Sequence, residues 1–206
     1  MRKVLALVVD RHATRHALPG AVAAAVRGGV DRVQLREREL EGADWLRWSR
    51  EISRAAHAAS EGVGLIINRR VDVAMALAAD GVHLGFDAMA VHDARALLGD
   101  DALIGVSTHA IDEVRTAAEA GADYVHLAPI FDPLSKPAER PALGPGVLTS
   151  LRGAGISVLA QGGLDAAHVR AAVAAGAAGV AVTGAILLAD DPGEAARALR
   201  AALDGD

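Results

Sequence analysis

The sequence contains no cysteine and very few aromatic residues, and both absences narrow the classes of protein to which it can belong. Without cysteine, there are no disulfides and no thiolate metal ligands. Aromatic residues make up 2% of the chain and hydrophobic residues 52%, so the core must be built from Ala, Val, Leu and Ile. Such side chains suit packed helices and buried parallel strands.

Long apolar runs and concentrated positive charge are also missing. No apolar stretch reaches the roughly 18 residues that a membrane-spanning helix needs. The apolar residues 4–9 follow a basic N-terminus as in a signal peptide, but the stretch is short and Asp10 ends it without a small-residue cleavage site, so we interpret it as the first strand. The net charge of −5 and the lack of a basic run argue against nucleic-acid binding. We therefore expect a cytoplasmic protein that binds neither nucleic acid nor membrane.

What the sequence does have is a regular alternation of short β-branched segments with longer segments rich in Ala, Leu and Arg at helical spacing. The predicted strands are residues 3–9, 31–35, 64–67, 81–84, 103–106, 124–128, 157–160 and 179–182. The predicted helices include residues 43–60, 71–79, 111–120, 166–175 and 192–203. Eight such units in 206 residues predict an α/β protein, a single (β/α)8 TIM barrel spanning residues 1–206.

Functional side chains of such barrels lie where strands end and loops begin. Gly162 and Gly163 follow the seventh predicted strand, and Thr183 and Gly184 follow the eighth. Glycine amides and helix N-termini at this place frequently hold a phosphate, although ordinary tight turns use glycine too. We expect these four residues to bind a phosphate.

A second group of polar residues also stands at strand ends. Arginine forks match phosphate oxygens, and lysine adds a point charge. Each cation alone could be a surface charge or a salt-bridge partner, but their number on one barrel mouth predicts a second anionic subsite. Together with polar neighbours, the predicted substrate-binding residues are Gln34, Arg36, Arg38, Asn68, Ser107, Ser135 and Lys136.

The candidates for proton transfer are one carboxylate and three histidines. Glu37 lies between two arginines, where it could act as a general acid or base or simply pair with a neighbour. His83, His109 and His126 stand near strand ends and could be structural hydrogen-bonding groups or bases. Their spacing does not match a known metal-ligand cluster, so we predict no metal ligands.

The same residues carry a resemblance to the thiamine phosphate synthase/TenI family over almost the whole chain. The matching segments are residues 33–38, 66–68, 80–85, 105–109, 122–125, 129–131, 135–136, 162–163 and 179–182. The resemblance implies the barrel fold and a phosphorylated thiazole as substrate. The sequence does not show the oligomeric state, for which a homodimer is a plausible assembly. It matches Arg36, Arg38, Asn68, Ser107 and Lys136 to pyrophosphate binders, and Ser135, Gly163, Thr183 and Gly184 to the thiazole-phosphate side.

Two departures bear on the reaction that the resemblance implies. Synthases of this family join a pyrimidine pyrophosphate to a thiazole phosphate with Mg²⁺, whose two expected aspartates are replaced here by Arg69 and Ala88. The TenI branch also lacks these aspartates, and its members can act as thiazole tautomerases, which need an acid/base pair and no metal. Glu37 matches an acid/base position of that branch, whereas its usual histidine before the sixth loop is Pro129 here. His126 and His109 are the possible substitutes.

The sequence thus supports three functional hypotheses. The leading one is a thiazole tautomerase-like isomerase of thiamine biosynthesis, with Glu37 as acid or base and no cofactor. The first alternative is a thiamine phosphate synthase, a transferase, with Mg²⁺ on shifted ligands such as Asp87. The second alternative is a non-catalytic protein that binds thiamine intermediates.

Overall fold

Eight parallel strands form a closed barrel in a computed structural model that describes residues 2–85, 87–132 and 140–205. Each strand pairs with its neighbours in chain order, and β8 closes the barrel on β1. The strands are β1 (Val4–Val9), β2 (Arg32–Leu35), β3 (Gly64–Asn68), β4 (Gly81–Leu84), β5 (Leu103–Thr108), β6 (Tyr124–Leu127), β7 (Ser157–Gln161) and β8 (Gly179–Val182). The predicted (β/α)8 barrel is confirmed.

Helices separate the strands and cover the outside of the barrel. They are α1 (Leu18–Arg27), α2 (Gly42–Ala59), α3 (Val71–Leu77), α4 (Val91–Leu98), α5 (Ile111–Glu119), α6 (Gly146–Ser150), α7 (Ala166–Ala175), α8 (Gly184–Leu187) and α9 (Pro192–Asp204). Helices α1, α4, α6 and α8 lie outside the five helical segments named from the sequence. None of the helices in the described ranges is long and apolar enough to cross a bilayer.

The strands are buried on both faces, as parallel strands under helices must be. Outward residues of β1, such as Leu5 and Leu7, join the large core between barrel and helices, whereas Ala6 lies in the barrel interior. The interior is mostly small and apolar below its mouth, with one large ring, that of Tyr124. A side chain on Gly105 would place its Cβ 2.1 Å from the Tyr124 ring, so glycine is required there.

The interior becomes polar toward the C-terminal ends of the strands. Because strand residues two apart share a face, Tyr124 is followed on the interior face by His126 and Leu159 by Gln161. The strand registers pair Asn68 with His83 and Ser107 with His126, and side-chain hydrogen bonds join Gln34 to Asn68 and His83 to Ser107. These six residues form the floor of the barrel mouth.

Candidate active site

The floor of the mouth is a layer of polar side chains that bond to one another. Gln34 donates from Nε2 to Asn68 Oδ1 at 3.0 Å, and His83 Nε2 lies 2.9 Å from Ser107 Oγ. Gln34 is 3% exposed, and its Oε1 has no hydrogen-bond partner among the described residues. A buried acceptor without a partner costs free energy, so a ligand donor at this point of the mouth would be favoured. The structure therefore brings Gln34, Asn68 and Ser107 together, as a substrate site requires.

Two of the candidate histidines lie inside this layer. The rings of His83 and His126 are 4.1 Å apart, and both residues are almost fully buried. Burial lowers the pKa of His83 to about 3. Burial, followed by the charges of His83 and Arg32, lowers the pKa of His126 well below its usual value. Since both rings are neutral and weakly basic, their geometry favours the structural alternative over the predicted catalytic role of His126.

His109 differs from them, because it lies half-buried at the rim where β5 ends. Its Nδ1 is 2.7 Å from the carbonyl oxygen of Ala128, which can only accept a hydrogen bond. Nδ1 therefore carries the hydrogen, and in the neutral ring the lone pair is on Nε2. Of the three histidines, His109 is the one whose place and tautomer suit proton transfer.

Glu37 is held on both carboxylate oxygens. Its Oε1 accepts from the amides of Arg38 at 2.7 Å, Glu39 at 2.6 Å and Leu40 at 3.4 Å, and its Oε2 lies 2.5 Å from Arg11 Nε. Burial alone would raise the pKa of this carboxyl, but the three amides and Arg11 outweigh it, so the pKa is below its usual value. This arrangement matches the alternative in which Glu37 pairs locally and shapes the loop after β2.

The predicted cations gather above β2 and β3. Arg36 pairs with Asp10 through Nη1 at 2.7 Å, and the charge of Arg38 is close enough to lower the pKa of Arg36, although burial contributes more. Arg69, directly after β3, reaches across to Asp87, with Nη1 and Oδ1 2.6 Å apart. This part of the rim is therefore a cluster of three guanidinium groups, which we call the arginine cluster.

The same geometry tests whether this rim suits the Mg²⁺ of metal-dependent synthases. Mg²⁺ is usually held by one or two carboxylates. Asp87 is already paired with Arg69, and Ala88 offers no ligand. Across residues 2–85, 87–132 and 140–205, no group of three or more His, Asp or Glu residues could hold a metal ion. The residues present at this place do not fit a divalent cation.

The loops after β7 and β8 lie on the other side of the mouth. Gly162 and Gly163 have φ of 95° and 61°, and a Cβ on Gly163 would lie 2.2 Å from the carbonyl oxygen of Asp132. Close packing against the chain after β6 thus explains these glycines without a ligand. Within the part of the chain that the structure describes, however, no hydrogen bond uses the amides of Gly163, Thr183 or Gly184 as donors. These amides remain suited to binding an anion.

Two predicted residues, Ser135 and Lys136, lie outside the described residues. Conversely, the structure adds Asp10 and Arg11, which pair with Arg36 and Glu37 at the end of β1. Their position directly after a predicted strand was the signal by which the sequence could have pointed to them.

Comparisons with known proteins agree with this architecture. The family model described as thiamine monophosphate synthase matches residues 5–186. A putative thiamine-phosphate synthase of Geobacter sulfurreducens is 42% identical over 201 residues, which cover 97% of this chain and 93% of the relative. A thiamine-phosphate synthase of Roseiflexus sp. is 37% identical over 97% of this chain and 85% of its own length.

A solved structure gives the same result. The thiamine phosphate pyrophosphorylase from Pyrococcus furiosus superposes with a TM-score of 0.86 at 25% identity, covering 98% of this chain and 96% of that one. The sequence matches and the structural match each span nearly the whole barrel. The chain belongs to the thiamine monophosphate synthase family.

Proposed function

We propose that this chain is an enzyme of thiamine biosynthesis, a thiamine-phosphate synthase that joins a pyrimidine pyrophosphate to a thiazole phosphate. The names of relatives that are 37% and 42% identical over nearly the whole chain favour this reaction over the tautomerase expected from the sequence. The observation that carries the proposal is that one mouth has two separate regions suited to anions, the arginine cluster and the amides after β7 and β8 that donate no hydrogen bond within the described residues.

The barrel order separates these two regions. Strand β3, which leads to the arginine cluster, has three strands between it and β7 on either side, so the two strands lie on opposite sides of the barrel. The amides of Gly163 and Gly184 belong to the β7 and β8 side. A reaction between two phosphorylated substrates requires such a pair of sites, with the reacting atoms held between them.

The arginine cluster suits the departure of pyrophosphate. When the bond to pyrophosphate breaks, the leaving group takes the electron pair and gains negative charge. Guanidinium groups placed at the site where charge develops stabilise the transition state more than the ground state. Ion pairs with Asp10 and Asp87 hold the guanidinium groups of Arg36 and Arg69 at this rim. On the opposite side, the glycine amides would hold the thiazole phosphate.

A second candidate, the tautomerase, is favoured by a specific observation. The place of the two expected Mg²⁺ aspartates is taken by Arg69 and Ala88, and a proton transfer within one thiazole needs no metal. His109, with its lone pair on Nε2, would be the base in that reaction. The thiazole phosphate would occupy the same glycine amides, and its carboxylate would face the arginine cluster.

Two assays on the purified chain separate these reactions. One follows formation of thiamine phosphate and pyrophosphate from the two substrates, and the other follows isomerisation of the thiazole carboxylate phosphate. We expect coupling, and we expect Arg36→Gln to lower kcat/KM of coupling by about a hundredfold because a charge-stabilising donor is lost.

The matched control is Arg47→Gln on the outer face of α2, where the side chain is exposed and pairs with Asp44. This variant should couple as the parent chain does. Isomerisation without coupling would establish the second candidate instead, and binding of both substrates without any turnover would establish a non-catalytic binder.

A further inference from the structure

Arg69 adopts an uncommon backbone conformation at the place where β3 ends. Its φ is 67°, and only one other non-glycine residue of the described chain, Ala78, has a positive φ. The conformation is fixed by neighbours, since the amide of Arg69 donates to the carbonyl oxygen of His83 on β4 at 2.9 Å. A conformation of this kind persists only where the surrounding structure maintains it, and residues that adopt it cluster at functional sites.

This backbone directs the Arg69 side chain along the rim. The side chain passes over Gly85, where an added Cβ would meet Arg69 Cδ and Asp87 Oδ1 at 3.9 Å each. It ends at Asp87, whose carboxylate it contacts at 2.6 Å. Both partners are solvent-accessible, with side chains 43% and 63% exposed. An exposed ion pair contributes little to stability, so its guanidinium can exchange Asp87 for a more highly charged anion.

The neighbours of Arg69 make this exchange favourable. Arg38 and Arg69 both act on the carboxyl of Asp87, whose pKa is lowered chiefly by its hydrogen bond to Arg69 and also by the charge of Arg38. Arg36 also lies close to Arg38, whose charge helps to lower the pKa of Arg36, although burial contributes more. A diphosphate carries more charge and more acceptor oxygens than one carboxylate, and guanidinium groups bind such oxygens in pairs.

We propose that Arg69 leaves Asp87 to bind the diphosphate group of the second substrate, and that the arginine cluster holds this group without a divalent cation. The inference rests on the proposed function, since it concerns the pyrophosphate side of the same mouth. It follows from the misfit described above: where a metal-dependent enzyme needs carboxylates, this chain has a guanidinium that can contact the phosphate oxygens directly.

Calorimetric titration of the purified chain with inorganic pyrophosphate tests the inference. We expect the same affinity in excess EDTA as in the untreated buffer, and weaker binding when excess MgCl₂ neutralises the ligand. Arg69→Gln should weaken binding about tenfold, the effect of losing one charge-assisted contact. Arg69→Lys, which keeps the charge but not the fork, should fall between the two.

The neighbouring arginine provides the matched control. Arg70→Gln removes the same charge one residue away, from a side chain that pairs with Asp72 at 2.5 Å, and should leave the affinity unchanged. Asp87→Asn should tighten binding, because it removes the competing carboxylate. Binding that EDTA abolishes would overturn the inference, as would equal affinities for Arg69→Gln and Arg70→Gln in folded proteins.

The outcome is separable from that of the proposed function. Titration with thiazole phosphate measures the glycine side of the mouth, and the coupling assay measures the reaction. Metal-independent pyrophosphate binding without coupling would disprove the proposed function and leave the arginine subsite standing. If the chain couples the two substrates but binds pyrophosphate only when Mg²⁺ is present, the proposed function would stand and the metal-free arginine subsite would be disproved.

Discussion

At the scale of single residues, Glu37 and Asp87 are two carboxylates of the same mouth that are held in different ways. The Glu37 side chain is 2% exposed and accepts hydrogen bonds from three backbone amides, whereas that of Asp87 is 63% exposed and pairs with one arginine. If Glu37 turned toward a substrate, it would leave three amides without an acceptor and would break its ion pair with Arg11. Asp87 can release its partner at little cost. We therefore treat Glu37 as a positioning residue that orders the loop carrying Arg36 and Arg38.

This role predicts how Glu37→Gln behaves. The variant keeps one oxygen for the amides and loses the charge that faces Arg11. We expect the KM for the phosphorylated substrates to rise about fivefold, since the contacts that hold the loop after β2 in its ordered conformation become weaker by roughly 1 kcal/mol. The pH profile of kcat should stay unchanged, because the pKa of Glu37 lies below its usual value and the group remains ionised at neutral pH. Steady-state kinetics across pH measure both quantities.

The control for Glu37→Gln is Glu39→Gln, which removes a nearby carboxylate that also contacts Arg11 but is 63% exposed. It should change neither KM nor kcat appreciably. If Glu37→Gln instead lost one limb of the pH profile, together with a fall in kcat of about a hundredfold or more, Glu37 would be the general acid or base of the sequence-based hypothesis.

At the scale of secondary-structure elements, three aspartates join neighbouring strands at the end of the barrel opposite the mouth. Asp31, Asp80 and Asp123 stand immediately before β2, β4 and β6. Each accepts a hydrogen bond from the second residue of the preceding strand, at 2.8, 2.6 and 2.7 Å, from the amides of Leu5, Leu65 and Ile104. Since catalytic groups of such barrels lie at the other end, these aspartates stabilise the fold.

Asp31 is the one of the three for which we expect the largest effect on stability. It also pairs with Arg200, which is 8% exposed, at 2.9 Å. Asp31→Ala should lower the free energy of unfolding by about 2–3 kcal/mol, because a strand amide loses its acceptor and a buried arginine loses one of its two carboxylate partners. Asp31→Asn should cost less, since its amide oxygen can still accept. Urea unfolding measures both values.

The comparison for Asp31→Ala is Asp101→Ala, which removes an exposed carboxylate from a turn. Only the first should be destabilised, and neither should change pyrophosphate binding at the mouth. Equal unfolding free energies for the two variants would show that the Asp31 contacts contribute nothing to the fold.

The elements also show what could be predicted from the sequence. Strands β4 and β8 have exactly the expected bounds and the other strands lie within two residues of theirs, because buried parallel strands are short apolar runs. Helices α6 and α8 have five and four residues, which is too short for an apolar pattern to repeat at helical spacing. At the mouth, the position of Arg36 and Asn68 at the ends of predicted strands was enough to predict them as substrate-binding residues. The conformation of Arg69 could not be predicted, because it depends on contacts with another βα unit that only the closed barrel creates.

At the scale of the whole molecule, the barrel interior contains a layer of titratable rings that must stay neutral. His83 and His126 lie 4.1 Å apart at its centre, and His83 also faces Tyr124, whose hydroxyl is 3.4 Å from Nδ1. Arg32 lies over the Tyr124 ring from the same interior face. Protonating either histidine would place a charge beside the other ring and far from water, which is costly without a partner.

This layer predicts that the fold weakens in mild acid. In the unfolded chain, both histidines have the usual pKa of about 6.5. In the folded chain, the pKa of His83 is about 3 and that of His126 is also well below its usual value. Below about pH 6.5 the unfolded state therefore binds more protons, and the free energy of unfolding falls by about 1.4 kcal/mol per pH unit for each histidine. Above that pH, these groups are neutral in both states and stability is unaffected.

Urea unfolding between about pH 7.5 and about pH 5.5 isolates this effect, since most carboxylates titrate below that window. His83→Gln should reduce the slope of stability against pH by about half, because one of the two histidines no longer takes up a proton on unfolding. His92→Gln, on the exposed surface of α4, should leave the slope unchanged. The slope is compared rather than the stability itself, so a destabilising effect of the Gln side chain does not obscure the result. If the parent chain were equally stable across this window, the interior rings would accept protons in the folded barrel. The conclusion that His83 and His126 stay neutral would then be wrong.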